Sequence, residues 1–211
     1  RMSGLSAFMP ITGLTALLDP AGTGTGYAVN PIAGVDLVTA SHEHSDHNNV
    51  AQATGSPLVL HGLTTGGDWA KIDQTIKGVR VRTVPVYHDD TQGSQRGKNV
   101  VFVFELEGLR LAHLGDLGHP LTPDQVKAIG PVDVLLIPVG GFYTIDGPAA
   151  AGVVGQLGPK VVVPMHYKTP DLSASLAGVL KPVDAFTAAM GSTATVAEAG
   201  HSINLVSGKL P

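Results

Sequence analysis

The seven-residue stretch Ser41-His42-Glu43-His44-Ser45-Asp46-His47 constrains this chain more than any other segment. It places three of the nine histidines, together with Asp46, within six consecutive residues. Imidazole and carboxylate groups are ligands for zinc, and for manganese or iron where more oxygen donors are present. The stretch therefore predicts one part of a metal site, whose remaining ligands come from distant parts of the chain.

Four places in the sequence share one arrangement, in which an apolar segment with the pattern of a strand ends at a His or Asp. Segment 35–40 leads into the histidine cluster, and three later segments each lead into a single candidate ligand. These candidates are His88, Asp116 and His166. If the four strand ends meet at one edge of the fold, their side chains supply enough donors for two divalent ions.

The seven candidate ligands divide into two groups. One ion would be bound by His42, His44 and His88. The other would be bound by Asp46, His47 and His166, with Asp116 bridging the two ions. Zinc suits these ligand types best on affinity, and manganese and iron are alternatives because metal supply also decides which ion is installed.

The rest of the chain has the pattern of many short strands with interspersed helices. Strands are predicted at 5–9, 14–18, 35–40, 57–60, 79–87, 100–106, 109–114, 132–139, 160–164, 194–198 and 202–206. Helices are predicted at 48–53, 123–129, 148–157 and, broken near Pro182, 172–189. Thr122-Pro-Asp-Gln125 is a capping box, and Asp146 can cap the next helix. This order predicts sheets that pack on each other under helices.

The glycine-rich segment 22–26 is the one stretch that invites a different interpretation. It lacks the spacing of the nucleotide-binding fingerprints, and no convincing helix pattern follows it. We therefore predict a flexible connection there rather than a phosphate site.

Composition limits the classes of protein that fit. With 211 residues, of which 43% are hydrophobic, one domain over residues 1–211 is expected. The absence of cysteine excludes disulfides, thiolate zinc sites and a cysteine nucleophile. The 13 Lys and Arg residues are scattered and the net charge is −4, which argues against nucleic acid as a partner.

No run of 18 apolar residues is present, so a soluble chain without a membrane partner is expected. A cytoplasmic location is the first expectation. An exported mature form is the alternative, because the chain begins at Arg1 rather than Met. The sequence indicates no particular oligomeric state.

The pattern His42-x-His44-x-Asp46-His47, followed by the three isolated ligands, resembles the metallo-β-lactamase superfamily, and nearly the whole chain follows it. Further segments resemble the branch of L-ascorbate-6-phosphate lactonase and related metal-dependent hydrolases. They are His88-Asp89-Asp90, His113-Leu-Gly-Asp116-Leu-Gly-His119, Pro138-Val-Gly-Gly-Phe-Tyr143 and Pro164-Met-His166-Tyr167. One departure is Leu5, where relatives often carry a histidine.

The resemblance implies an α+β fold, a four-layer αββα sandwich with a dinuclear site at one edge of the paired sheets. Two cations about 3.5–4 Å apart lower the pKa of a shared water and polarise the oxygen of a substrate carbonyl or phosphoryl group. Asp46 is then a candidate catalytic residue, because a carboxylate beside the nucleophile can accept its proton and pass it to the leaving group.

Two further residues are candidates for catalysis. Tyr143 follows a predicted strand and could donate its hydroxyl to a developing oxyanion, with packing as the alternative. His119, like His113, flanks Asp116 and could assist proton transfer, with orientation of the metal ligands as the alternative. Arg96 lies in a polar loop, where it could bind an anionic group or anchor the loop.

The predicted function is hydrolysis of an ester, lactone or phosphoester of a small molecule, with an anionic molecule as a candidate, by a hydroxide held between two metal ions. A β-lactamase or a nuclease of the same superfamily is an alternative. A metal-stabilised binding protein without turnover and an oxygen-using iron enzyme are alternatives from other classes.

Overall fold

The structure is a computed structural model that describes residues 7–11, 13–106, 108–197, 203–206 and 208–210. Its first sheet contains β1 (Ala7–Ile11), β2 (Leu14–Leu18), β3 (Leu37–Ala40) and β4 (Leu58–His61). The second contains β5 (Asp73–Ile76), β6 (Val79–Tyr87), β7 (Lys98–Leu106), β8 (Leu109–His113), β9 (Val134–Pro138) and β10 (Val161–Met165). The helices are α1 (Pro123–Ile129), α2 (Gly147–Leu157), α3 (Ala174–Ala177) and α4 (Asp184–Met190).

Strand direction explains why the candidate ligands meet. The six-stranded sheet has the order β10-β9-β8-β7-β6-β5, and its first three strands are parallel. Because β7 is antiparallel to both β8 and β6, strand β6 runs in the same direction as β8 and β10. The carboxyl ends of β6, β8 and β10 therefore open at one edge of the sheet.

Apolar packing holds the two sheets face to face. Phe102 and Phe104 of β7 are fully buried between them, beside Leu14 of β2 and Leu37 of β3. Side chains of alternate parity on the same strands, such as Val101, point to the other face. This period of two makes the six-stranded sheet apolar on both faces, as expected for a sheet covered on both sides.

Helices α1, α2 and α4 cover the outer face of the six-stranded sheet. Both predicted caps are confirmed, since Thr122 and Gln125 form a reciprocal capping box and Asp146 accepts from the Ala149 N–H at 3.0 Å. On the smaller sheet, the described residues provide a 3-10 turn, Val50–Gln52, which packs near Leu17 and Val38. The predicted α+β arrangement of two packed sheets is therefore present, with helices on one outer face and the 3-10 turn on the other.

Most predicted elements are present within one to three residues at each end. The predicted helix at 172–189, broken near Pro182, is present as two shorter helices, α3 and α4, with residues 178–183 outside both. Strand β5 was not predicted, because its sequence Asp-Gln-Thr-Ile is an exposed edge with no apolar alternation. The predicted strands at 194–198 and 202–206 are wrong for the described residues 194–197 and 203–206, which form no strand. Their apolar side chains, such as Val196 and Val206, are exposed and gain no burial from pairing. Leu5 lies outside the described residues.

The glycine-rich segment 22–26 is a packed connection. The Gly22 N–H donates to the Asp46 carbonyl at 3.1 Å, and the Ser173 N–H donates to the Thr25 carbonyl at 2.8 Å. A Cβ at Gly26 would lie 2.3 Å from the Ser173 nitrogen, so glycine is required there. The segment thus links the metal-binding stretch to the residues before α3.

None of the helices in the described ranges combines the length and the apolar character that crossing a membrane would take.

Candidate metal centre

The four strand-end loops bring their histidines around a single carboxylate oxygen. Asp116 Oδ2 lies 3.2 Å from His88 Nε2, 3.4 Å from His47 Nε2, 3.4 Å from His166 Nε2 and 3.8 Å from His42 Nε2. All five side chains are at most 3% exposed. A carboxylate in this position can bridge two cations, as the sequence predicts for Asp116.

The donor atoms form overlapping groups, each with its atoms within 4.8 Å of one another. They are His42 with His44 and His88, Asp46 with His47 and His166, and His42 with His47 and Asp116. The first two groups are the two ligand sets predicted from the sequence. The third contains Asp116 and one histidine from each of the other two, so it joins them.

Orphaned polar atoms show that these residues fit a divalent cation. Among the described residues, His42 Nε2, His47 Nε2 and Asp116 Oδ1 are buried without a hydrogen-bond partner. Burying such atoms without a partner is costly, and three of them at one point is unusual in a folded protein. A cation among imidazole and carboxylate donors would satisfy all three.

The protonation states also suit metal binding. Burial lowers the pKa of His42, His44 and His47, which favours the neutral imidazole that binds metals. Burial alone would raise the pKa of Asp116, but the surrounding histidines, His166 and His47 foremost, hold it well below its ordinary value. For His88, burial lowers the pKa, and the contact with Asp116 outweighs that effect and raises it.

Asp19 supports the ligands from behind. Its carboxylate accepts from the Ser41 N–H at 2.8 Å and from the Ser41 hydroxyl, whose oxygen lies 3.0 Å from His42 Nδ1. Its Oδ2 is also 4.0 Å from His47 Nδ1. Burial raises the pKa of Asp19 to about 8 against the lowering effect of Ser41, and a nearby cation would favour the ionised form. Asp19 therefore positions His42 through Ser41, and it lies beside His47 without a hydrogen bond to it.

His113 is a buried positioning group. Its Nδ1 accepts from the Gly115 N–H at 3.2 Å, and burial lowers its pKa to about 3. This low pKa favours the neutral imidazole near pH 7. The contact fits the alternative predicted for it, which is to fix the loop that carries Asp116.

His119 lies against backbone groups. Its Nε2 accepts from the Tyr87 N–H at 3.1 Å, and its Nδ1 is 2.7 Å from the Pro120 carbonyl oxygen. Both ring nitrogens are therefore engaged, and His119 belongs to none of the donor groups found among the described residues. Its catalytic role stays a prediction, while these contacts fix the end of β6 just before His88.

A cavity of about 360 Å³ opens over the donor cluster. Its lining residues are His44, Ser45, Asp46, His88, Gln95, Arg96, Asp116, Tyr143 and Leu176. Tyr143 is half-buried on the wall, with the Arg96 guanidinium 5.7 Å from its ring centre. The structure thus brings Tyr143 to the site, and its catalytic role stays a prediction.

The loop between β6 and β7 is built around the buried carboxylate of Asp89. Its Oδ1 accepts from the Thr91 N–H, the Thr91 hydroxyl and the Gly93 N–H, each at 2.8 Å. Its Oδ2 accepts from the Gln95 N–H at 3.0 Å and the Arg96 N–H at 2.7 Å. Burial alone would raise the pKa of Asp89, but these hydrogen bonds, that of Arg96 foremost, hold it well below the ordinary value. The sequence did not reveal this role.

Glycines behind the ligand loops are a second feature that sequence reasoning missed. A Cβ at Gly118 would lie 2.2 Å from the His88 carbonyl carbon, and one at Gly140 would lie 2.1 Å from the His166 carbonyl oxygen. Such close approach of two backbones is possible for glycine alone. The only sequence signal is the glycine itself, in Asp116-Leu-Gly118 and in Val139-Gly140. Its importance can be recognised only when the neighbouring loop is known.

The family of the chain is shown by its similarity to known proteins. A profile described as the beta-lactamase superfamily domain matches residues 4–166. A UPF0173 metal-dependent hydrolase of Thermococcus onnurineus is 31% identical over 195 residues, covering 80% of this chain and 84% of that protein. The chain belongs to the metallo-β-lactamase superfamily. Within the superfamily, its relatives are UPF0173 metal-dependent hydrolases, and the resemblance to the lactonase stays a prediction.

Two further members of the superfamily extend the comparison. A UPF0173 metal-dependent hydrolase of Pyrococcus abyssi is 31% identical over 197 residues, covering 82% of this chain and 87% of that protein. A crystal structure from Thermotoga maritima, assigned to the Zn-dependent hydrolases of the metallo-β-lactamase superfamily, is 39% identical with a TM-score of 0.67. That match covers 86% of this chain and 79% of the other.

The bridging position of Asp116 predicts that Asp116→Ala loses paired metal binding, because no carboxylate then lies between the two donor groups. Elemental analysis after dialysis should give about two equivalents of metal for the wild type and about one or fewer for the variant. Asp124→Ala removes an exposed carboxylate on α1 and should retain the wild-type content. Retention of the full content in Asp116→Ala would show that the bridge is wrongly assigned.

Close packing behind His88 predicts that Gly118→Ala displaces this ligand. We expect the metal affinity to fall about 10- to 100-fold. We also expect the free energy of unfolding of the metal-free protein to decrease by about 1–3 kcal/mol. Competition with a chromogenic chelator and urea unfolding measure the two effects. In Gly66→Ala the new Cβ would lie 3.7 Å from Thr64 Oγ1, an ordinary contact, so both quantities should stay close to wild type. Equal effects of the two substitutions would contradict the account.

Proposed function

We propose that this chain hydrolyses an ester, lactone or phosphoester of a small molecule at a site that binds two divalent ions. Zinc is the first candidate, with manganese and iron as alternatives. The observation that carries the proposal is the position of Asp116 Oδ2 within 3.8 Å of four imidazole nitrogens that belong to two donor groups. Membership of a superfamily with metal-dependent hydrolases supports it.

Divalent ions bound there would lower the pKa of a coordinated water and polarise a substrate oxygen. The side-chain exposure of the two carboxylates, Asp116 and Asp46, indicates which role each can take. Asp116 is buried at 3% side-chain exposure and is suited to holding charge, whereas the Asp46 side chain is 35% exposed and borders the cavity. Asp46 is therefore the carboxylate that can accept a proton from water and return it to a leaving group.

The walls of the cavity orient the substrate. Tyr143 brings a hydroxyl to that wall, which could donate a hydrogen bond where negative charge develops on the substrate. A volume of about 360 Å³ suits a small molecule better than a polymer. Together with the net charge of −4, this favours a small-molecule hydrolase over a nuclease.

Chelation and metal restoration test this proposal. Protein treated with a chelator and then dialysed is assayed with Zn²⁺, Mn²⁺ or Fe²⁺ on aryl esters, lactones, a phosphodiester and nitrocefin. We expect hydrolysis of an ester, lactone or phosphoester to disappear on chelation and to return with one of these ions.

The control outcomes separate the alternatives. Nitrocefin as the sole substrate would favour a β-lactamase, and oxygen uptake with iron would favour an oxygen-using enzyme. Tight binding of a metabolite without turnover under every metal would contradict hydrolysis and favour a binding protein.

A further inference from the structure

Arg96 brings a positive charge to the wall of the cavity. Three other described arginines, Arg80, Arg82 and Arg110, each lie within 3.4 Å of a Glu105 carboxylate oxygen. Among the described residues, no carboxylate forms an ion pair with the Arg96 guanidinium. The guanidinium lies over the ring of Tyr143, 5.7 Å from its centre. A half-buried guanidinium at the wall of a cavity is therefore free to meet a negative group from outside the chain.

The backbone holds this arginine in place. The Arg96 N–H donates to Asp89 Oδ2 at 2.7 Å, and the Gly97 carbonyl accepts from the His88 N–H at 3.0 Å. The loop that presents Arg96 is thus fixed to a metal ligand at one end and to a buried carboxylate at its centre. Because the loop is ordered before any ligand arrives, binding a group at Arg96 costs little conformational entropy.

The position of Arg96 relative to the donors suggests how a substrate would lie. The same cavity is bounded by Asp46, His88 and Asp116 of the metal centre and by Arg96 and Tyr143 on its wall. A molecule whose scissile bond lies at the centre could therefore place another of its groups at Arg96. Two divalent ions would outweigh the two carboxylates that bind them, so the whole cavity favours an anion.

We propose that Arg96 is the specificity-determining residue of this site and binds an anionic group, a carboxylate or a phosphate, at the end of the substrate remote from the bond that is cleaved. The inference rests on the proposed hydrolytic function. The planar guanidinium can donate two parallel hydrogen bonds to such a group, and the face of Tyr143 supports the cation.

Calorimetry on the metal-loaded protein tests the inference with three probes. Butyrate offers one carboxylate to the ions, while glutarate and 4-phosphonobutyrate have the same chain with a second anionic group at its far end. We expect these two to bind about tenfold or more tightly than butyrate, because a hydrogen-bonded charge pair contributes that much. The advantage that is lost to the greater extent in Arg96→Met identifies carboxylate or phosphonate as the group that Arg96 prefers.

Variants assign the advantage to Arg96. In Arg96→Met the affinity of glutarate and 4-phosphonobutyrate relative to butyrate should fall to about onefold. The backbone N–H of residue 96 still donates to Asp89 in this variant, so the loop is retained. Arg96→Lys should keep part of the advantage, because lysine supplies the charge without the planar fork. Arg80→Met removes the same charge from an exposed ion pair with Asp73 on β5 and should keep the full advantage.

A kinetic arm separates this inference from the proposed function. We expect kcat/KM for the mono-4-nitrophenyl ester of glutarate to exceed that of 4-nitrophenyl butyrate about tenfold in the wild type, and the two to be equal in Arg96→Met. Equal binding of the three probes by the wild type, or an advantage that persists in Arg96→Met, would overturn the inference even if both esters are hydrolysed. An Arg96-dependent advantage in binding without hydrolysis of any ester, lactone or phosphodiester of the panel would support the inference and contradict the proposed hydrolysis.

Discussion

The structure depends on one buried carboxylate surrounded by imidazoles. A charge as buried as that of Asp116 is stable in a protein when opposite charges or metal ions compensate for its lost hydration. Here the compensation comes from histidines in the loops after β3, β6 and β10, which belong to both sheets, while Asp116 itself follows β8. The packing of the two sheets on Phe102 and Phe104 is therefore what brings the candidate metal ligands into one place.

That these side chains lie close together was predictable because His42, His88, Asp116 and His166 each come within three residues of the end of a strand. A strand pattern can be recognised from residues within a short window, and the carboxyl ends of parallel strands lie at the same edge. The helix starts at Thr122 and Asp146 were predictable for a similar reason, since a cap is determined by a few neighbouring residues. In both cases the sequence pattern that predicts the feature lies within a short window of residues.

Features that depend on distant backbone contacts were not predictable. Gly118 and Gly140 are required by loops that lie far from them in the sequence. Strand β5 forms because it pairs with β6, and its own residues carry no apolar alternation. The five hydrogen bonds to Asp89 likewise require knowledge of the turn that folds around it, and sequence alone left Arg96 of that loop open between binding an anionic group and anchoring the loop.

The central claim is that the two donor groups bind two ions with Asp116 between them. Anomalous X-ray scattering from crystals of protein purified without added metal, measured at the absorption edge of the metal identified in them, tests it most directly. The account predicts two peaks, one among His42, His44 and His88 and the other among Asp46, His47 and His166, both in contact with Asp116. A single peak, or two peaks of which one lies away from Asp116, would contradict it.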